Sequence, residues 1–255
     1  MSIRKGVLLA GGFGTRLHPM TKVTNKHLLP VYDRPVIYYA IDKMVGAGID
    51  HIMIVTNPGH VDDFVNIIGS GPRWISKHTG KQIQVVYGIQ EKPTGIADGL
   101  WIAKEYIGDD DCMLYLGDNI IQDDLAPYVE GFTGGATVFL KEVHDPERFG
   151  VAELDAHGHI VGIEEKPGKP KSNLAVIGVY LYENAVFKKM IGMEPSDRGE
   201  YEITTINSLF CSEGTLNGVV LQKPWFDIGT FDSLLRASQH MKEKGHSFHC
   251  DHTSE

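Results

Sequence analysis

The stretch Lys5-Gly6-Val7-Leu8-Leu9-Ala10-Gly11-Gly12-Phe13-Gly14-Thr15-Arg16-Leu17 decides the reading of this chain. A short, unbroken apolar run that ends in glycines reads as a strand buried on both faces, as strands of parallel sheets are. The glycines fall where the backbone leaves the carboxyl edge of that sheet, the usual ligand site of open α/β folds. With no side chain in the way, backbone N–H groups there can approach a phosphate closely. Arg16 adds a planar, permanently charged partner for such an anion. Two familiar phosphate loops do not fit. Leu17 stands where the dinucleotide fingerprint needs its third glycine, which disfavours an oxidoreductase of that type, and no Gly-Lys-Ser/Thr follows, which excludes a P-loop. The glycines alone would suit an ordinary strand-to-helix turn; Arg16 followed by Lys26 favours phosphate.

Outward from this loop, apolar runs alternate with helical periodicity. Ile37, Ala40, Ile41, Met44 and Val45 recur at helical spacing, and Gly46 and Gly48 close that helix. A strand is predicted over 51–57, a short helix over 60–68, a strand over 83–88, a helix over 96–107 and a strand over 112–119. Strand and helix in alternation imply right-handed crossovers and a Rossmann-like, doubly wound, mostly parallel sheet. The second half changes character. Strands are expected over 136–143, 150–155, 159–165, 174–182 and 215–222, with a hairpin turn at Ala156, His157 and Gly158 and helices over 184–191, 203–213 and 230–244. With no Pro/Gly/Ser-rich linker, residues 1–255 read as one α/β domain, its first half 1–120 and an inserted β-rich half 121–245.

Composition narrows the function. The 255 residues are 42% hydrophobic and 22% charged, which indicates a packed core and not a disordered chain. A net charge of −9 argues against a general nucleic-acid binder, which needs a basic footprint. Cys112, Cys211 and Cys250 are widely spaced without a Cys-x-x-Cys, so reduced thiols in a cytoplasmic protein are expected. No apolar run is long enough to span a membrane, and the N-terminal run is too short for a signal sequence. His246, His249, Cys250 and His252 match no standard zinc spacing and read as a frayed tail.

The segments LAGGFGTRL (9–17), NKHLLPV (25–31), LGDN (116–119), DPERFGV (145–151), EEKP (164–167), PKSNLAVIGVYLY (170–182), RGEYEITTIN (198–207) and WFDIGTFDSL (225–234) together, and in this order, resemble the sugar-1-phosphate nucleotidyltransferases over residues 3–240. The resemblance implies transfer of a thymidylyl group from dTTP to glucose 1-phosphate, with release of pyrophosphate. It makes 1–120 the nucleotide-binding half and 121–245 the sugar-binding half, and it implies a homo-oligomer, dimer or tetramer. A deoxysugar or rhamnose-type polysaccharide pathway would use the product. The same chemistry with UTP or another hexose 1-phosphate is the near alternative, since one methyl group separates thymine from uracil and is worth only ~1–3 kcal/mol in an apolar pocket. A catalytically silent sugar-nucleotide sensor is disfavoured by the presence of Arg16, Lys26, Asp118, Lys166 and Asp227 together.

Site residues follow from the same resemblance. Nucleotidyl transfer calls for Mg²⁺, which prefers one or two carboxylates plus phosphate oxygens. Asp118, at the end of its predicted strand, and Asp227 are the implied pair. Arg16 would neutralise the outer phosphates, Lys26 bridge the triphosphate and the sugar phosphate, and Lys166 clamp the latter. Leu9, Gly11, Gly12, Gly14 and Thr15 would surround the nucleotide, with Gln90 and Gly95 reading the base; an amide can both donate and accept. Asn119, Gly150, Glu165, Val176, Thr204 and Arg198 would hold the sugar. Phe149 and Leu174 depart from the pattern, where tyrosine and an aromatic residue are frequent in relatives. Trp225 reads first as a core residue and second as a wall of the site, and His27 as structural. Longer members of the family carry a further helical segment forming a second nucleotide site. This sequence lacks it, so any product feedback is expected to use another arrangement.

Overall fold

A computed structural model describes residues 2–245; the histidines and Cys250 of the tail lie outside the described residues. In chain order the strands are β1 (Lys5–Leu9), β2 (Pro30–Val31), β3 (Arg34–Pro35), β4 (His51–Thr56), β5 (Gln84–Ile89), β6 (Cys112–Leu116), β7 (Asn119–Ile121), β8 (Ala136–Glu142), β9 (Gly150–Leu154), β10 (Ile160–Glu165), β11 (Leu174–Tyr182), β12 (Leu216–Val220) and β13 (Trp225–Asp227). The helices are α1 (Val36–Gly46), α2 (Val61–Ile68), α3 (Ile96–Ile102), α4 (Lys104–Ile107), α5 (Ala126–Glu130), α6 (Val186–Lys189), α7 (Ile203–Ser212) and α8 (Phe231–Glu243).

The first half forms the parallel block β5-β4-β1-β6. Alternate residues of its strands feed two cores. Leu8, Ile52 and Ile54 face Ile37, Ile41 and Met44 of α1, while Val7, Val55 and Leu114 face Ala97 and Leu100 of α3 and Phe210 of α7. All of these are fully buried, each large side chain contributing about 1.5–3 kcal/mol by leaving water. Covered faces are why the strands read as continuous apolar runs. β11 joins the two halves. It runs antiparallel to β6 at Val179–Tyr182, then past a register shift to β9 at Ala175 and Val176, with β8 along its other edge. β10 extends the sheet beyond β9, and β12 lies parallel to β8.

Three local expectations are corrected. The strand over 112–119 stops at Leu116, because the chain turns at Gly117 and Asp118 and starts β7. Asp118 therefore sits in a turn beyond the sheet and not at the strand's last position. The helix over 96–107 is interrupted at Ala103, and the one near 184–191 is only α6 with its flanking turns. The small antiparallel sheet β7–β13 was not anticipated; three-residue strands carry too few alternations to show a period.

Candidate active site

The loop after β1 lies at the carboxyl edge of the parallel block. Gly14 adopts φ 60°, and a Cβ there would come within 2.9 Å of the Lys26 Cβ. The loop and the Lys26 segment are thus in direct contact, a spacing only glycine permits. Asn25 stitches the two together: its Nδ2 donates to the Ala10 carbonyl at 3.0 Å, and its Oδ1 accepts from the His27 N–H at 2.9 Å. His27 is buried, with Nδ1 2.6 Å from Asn25 Oδ1. Burial, and then the Lys26 ammonium, push its imidazole down to about 3, so it is neutral at the edge of a hollow that Lys26 also lines.

Lys26 forms an ion pair with Asp118, and the two side chains are only 14% and 13% exposed. Burial by itself would raise the Asp118 carboxyl; the Lys26 ammonium, chief among the opposing influences, holds it below the ordinary range. The β7–β13 register sets Asp227 opposite Asn119, the neighbour of Asp118, and the Ile228 N–H donates to the Asp118 carbonyl at 2.9 Å. Burial first, then the charge of Asp118, push Asp227 up to about 6. Two crowded carboxylates of hard oxygen donors suit a divalent cation, which would relieve their mutual repulsion. No cluster of three or more His, Cys, Asp or Glu ligands occurs among the described residues, so such an ion would complete its shell with phosphate oxygens and water.

Two hollows meet at Asp118. The first, of about 190 Å³, is lined by Leu9, Gly11, Gly12, Lys26, Gln90 and Gly95. The second, of about 250 Å³, is lined by Arg16, Asn119, Gly150, Glu165, Lys166, Val176, Thr204 and Asp227. In the first, Gly95 has φ 120°, and a Cβ on it would strike the Tyr201 backbone at 2.4 Å. In the second, a Cβ on Gly150 would lie 3.2 Å from Thr204 Oγ1 and 3.3 Å from Glu165 Oε2, which marks how tightly these residues converge. Thr204 Oγ1 donates to Glu165 Oε2. Asn119 is held on both sides of its amide: Nδ2 donates to Asp118 Oδ1 at 2.9 Å, and Oδ1 accepts from Trp225 Nε1 at 2.6 Å. Lys166 takes the left-handed φ of 43°, uncommon for a residue with a side chain, and its Nζ lies 3.7 Å from Glu165 Oε1.

Some expected residues are placed differently. Gly14 and Thr15 shape the loop without lining either hollow. Arg198 reaches Glu165 Oε1 only at 3.4 Å and is held more closely by Glu202 at 2.7 Å. Trp225 does both: half-buried, it packs against the core and walls the second hollow, edge-on to Phe149 at 5.6 Å. Arg148 was missed. It lines the second hollow with Nη2 3.9 Å from Asp227 Oδ2, and its one signal was its position inside DPERFGV.

Comparison with known proteins identifies the family of the chain as a whole. The family model described as nucleotidyl transferase matches residues 5–244. A glucose-1-phosphate thymidylyltransferase of Xanthomonas campestris pv. campestris is 42% identical over 244 residues, covering 93% of this chain and 80% of its own. One from Mycolicibacterium smegmatis is 40% identical, covering 93% and 82%. A solved Bacillus anthracis structure, described as a glucose-1-phosphate thymidylyltransferase in complex with a sucrose, superposes with a TM-score of 0.85 at 45% identity, covering 94% of this chain and 95% of its own. The loop, the carboxylate pair and these likenesses lead to one conclusion: the chain belongs to the nucleotidyl transferase family.

Proposed function

We propose that this protein transfers a thymidylyl group from dTTP to glucose 1-phosphate, giving dTDP-glucose and pyrophosphate. The observation that carries the reading is the junction of the two hollows at the Lys26–Asp118 pair. One hollow has the glycine loop and an amide; the other has a carboxylate and a hydroxyl suited to sugar hydroxyls. The names of the relatives supply the substrates.

In this reading residues 1–120 hold the nucleotide and 121–245 the sugar. The sugar phosphate attacks the α-phosphorus in line, and pyrophosphate leaves from the opposite side. The nucleophile is already anionic near neutrality, since its second pKa is about 6, so no strong general base is needed. The residues instead hold two anions together and neutralise charge as it shifts. Lys26 bridges the triphosphate and the sugar phosphate. Arg16 draws off charge on the outer phosphates, and Lys166 fixes the sugar phosphate. Glu165, Thr204 and the Gly150 backbone orient the hexose. Asp118 and Asp227 would hold Mg²⁺, which supplies Lewis-acid stabilisation of the transferring group when bound. We expect a homodimer or homotetramer, which light scattering tests. No helix among the described residues is long and apolar enough to cross a membrane.

The test is pyrophosphate release with dTTP, glucose 1-phosphate and Mg²⁺, with UTP in a parallel sample. Release with dTTP and little with UTP supports the reading. Preference for UTP keeps the chemistry and moves the base assignment. Silence with both, and with other hexose 1-phosphates, rejects it.

A further inference from the structure

Gln90 does not face the first hollow with a free amide. Its Nε2 donates to the Gly95 carbonyl at 3.1 Å and to Asp98 Oδ2 at 2.9 Å. A carbonyl and a carboxylate only accept, so both amide protons are taken and the orientation of the group is fixed. Turning it over would press the amide oxygen against two acceptors. What remains for the hollow is Oε1, which lies over Gly11; a Cβ there would come within 3.1 Å of it. Among the described residues Oε1 accepts no hydrogen bond.

The two partners of Nε2 are themselves held. Asp98 lies in the first turn of α3 and takes the Thr94 hydroxyl at 2.6 Å on the same oxygen. Gly95 is pinned by the Tyr201 backbone, which donates to the Thr94 carbonyl at 2.7 Å and accepts from the Ala97 N–H at 3.1 Å. The loop cannot easily turn Gly95 away, and Asp98 has no reason to leave.

We propose that Asp98 is a positioning residue for base selection: by taking one proton of the Gln90 amide, it makes the pocket present an acceptor alone. This rests on the reading of the first hollow as the nucleobase site. Such a pocket takes bases with a ring N–H at the contacted edge, the imide of thymine or uracil. It refuses cytosine, whose N3 is itself an acceptor and would face Oε1 with no proton between them. With Asp98 removed, only Gly95 restrains the amide; it can turn over and offer Nε2 to cytosine.

The experiment is calorimetric binding of dTTP and dCTP to the wild-type protein and to Asp98→Ala and Asp98→Asn, with pyrophosphate release measured on the same samples. The wild type should bind dTTP more tightly. Asp98→Ala should reduce the dTTP:dCTP preference about tenfold or more, the scale on which a lost polar match acts. Asp98→Asn, whose Oδ1 can accept the same proton, should keep the preference within about threefold. Equal wild-type affinity for the two nucleotides, an unchanged preference in Asp98→Ala, or an equal loss in both variants would overturn the proposal. Should Asp98→Ala fail to fold, Thr94→Val releases Asp98 more gently and must weaken the preference in the same direction; an unchanged preference there rejects the idea. Selective binding of dTTP without pyrophosphate release would leave this proposal standing and reject the transferase reading.

Discussion

Lys26 and Asp118, from segments well apart in the chain, close into an ion pair on the wall of the first hollow, and Asp118 also lines the second. Each is nearly buried, so each depends on the other for its charge. Lys26→Met should therefore do two things at once. It should lower turnover by about a hundredfold or more, the scale of losing a preorganised cation at a phosphoryl centre. It should also destabilise the fold, by up to about 3–5 kcal/mol if Asp118 finds no other partner. Steady-state kinetics and thermal unfolding measure the two. Turnover close to wild type would remove Lys26 from the reaction.

Asp118→Asn preserves shape and removes charge. The Asp118 carbonyl still accepts from Ile228, and the strand pair β7–β13 does not involve the side chain. Pyrophosphate release should fall to background, and the unfolding temperature should drop modestly with the fold intact, because the nearly buried Lys26 ammonium loses its charged partner. Chelation of divalent ions should likewise stop wild-type release, and added Mg²⁺ should restore it. Activity that survives chelation would sink the assignment of the carboxylate pair as ligands.

Arg148 offers a sharper division of labour. It borders the second hollow beside Asp227 and stacks near the Phe149 ring at 5.4 Å. Arg148→Ala should raise KM for glucose 1-phosphate by about tenfold and leave dTTP affinity near wild type, as expected when one charged hydrogen-bond partner is lost. A rise in the dTTP constant instead would place Arg148 on the triphosphate.

Acid stability should depend on Asp50, far from chemistry. Burial would raise its carboxyl, but hydrogen bonds from Arg4, Ser76 and His51, at 2.5, 2.6 and 2.8 Å, outweigh burial and hold it at about 2. An unfolded Asp titrates near 3.9, so the folded state favours the charged form. That stability is complete above about pH 4 and is lost as pH falls towards about 2. Its size is about 1–2 kcal/mol after allowance for the exposure of Arg4. Asp50→Asn should lower the unfolding temperature near neutrality, and the gap should narrow in acid. A gap of equal size at both pH values contradicts this linkage.

The parallel block was legible because its central strands β1 and β6 are buried on both faces; LLAGG and MLYLG could be little else. The glycines Gly11 and Gly12 were readable from the loop that follows such a strand, whereas Gln90 and Asp118, taken alone, read as ordinary loop and turn residues and were singled out by the resemblance. The partnership of Asp118 with Asp227 rests on β7 and β13, too short to show a pattern, and only the resemblance suggested it. Arg148 was invisible for another reason. An exposed arginine in a charged loop looks like any solvated residue until folding brings Asp227 beside it. Asp98 carries no signal in the sequence, because its meaning lies in the amide it faces.

The course of β11 has a consequence for engineering. Val176 borders the second hollow, and a few residues later the same strand hydrogen-bonds to β6, which leads into Asp118. A graft of residues 121–245 from a relative would import β11 and require its register to mate with a foreign β6. If the second hollow holds the sugar as proposed, its preference is therefore better altered one side chain at a time, at Val176 or Thr204, than by exchanging the second half as a cassette.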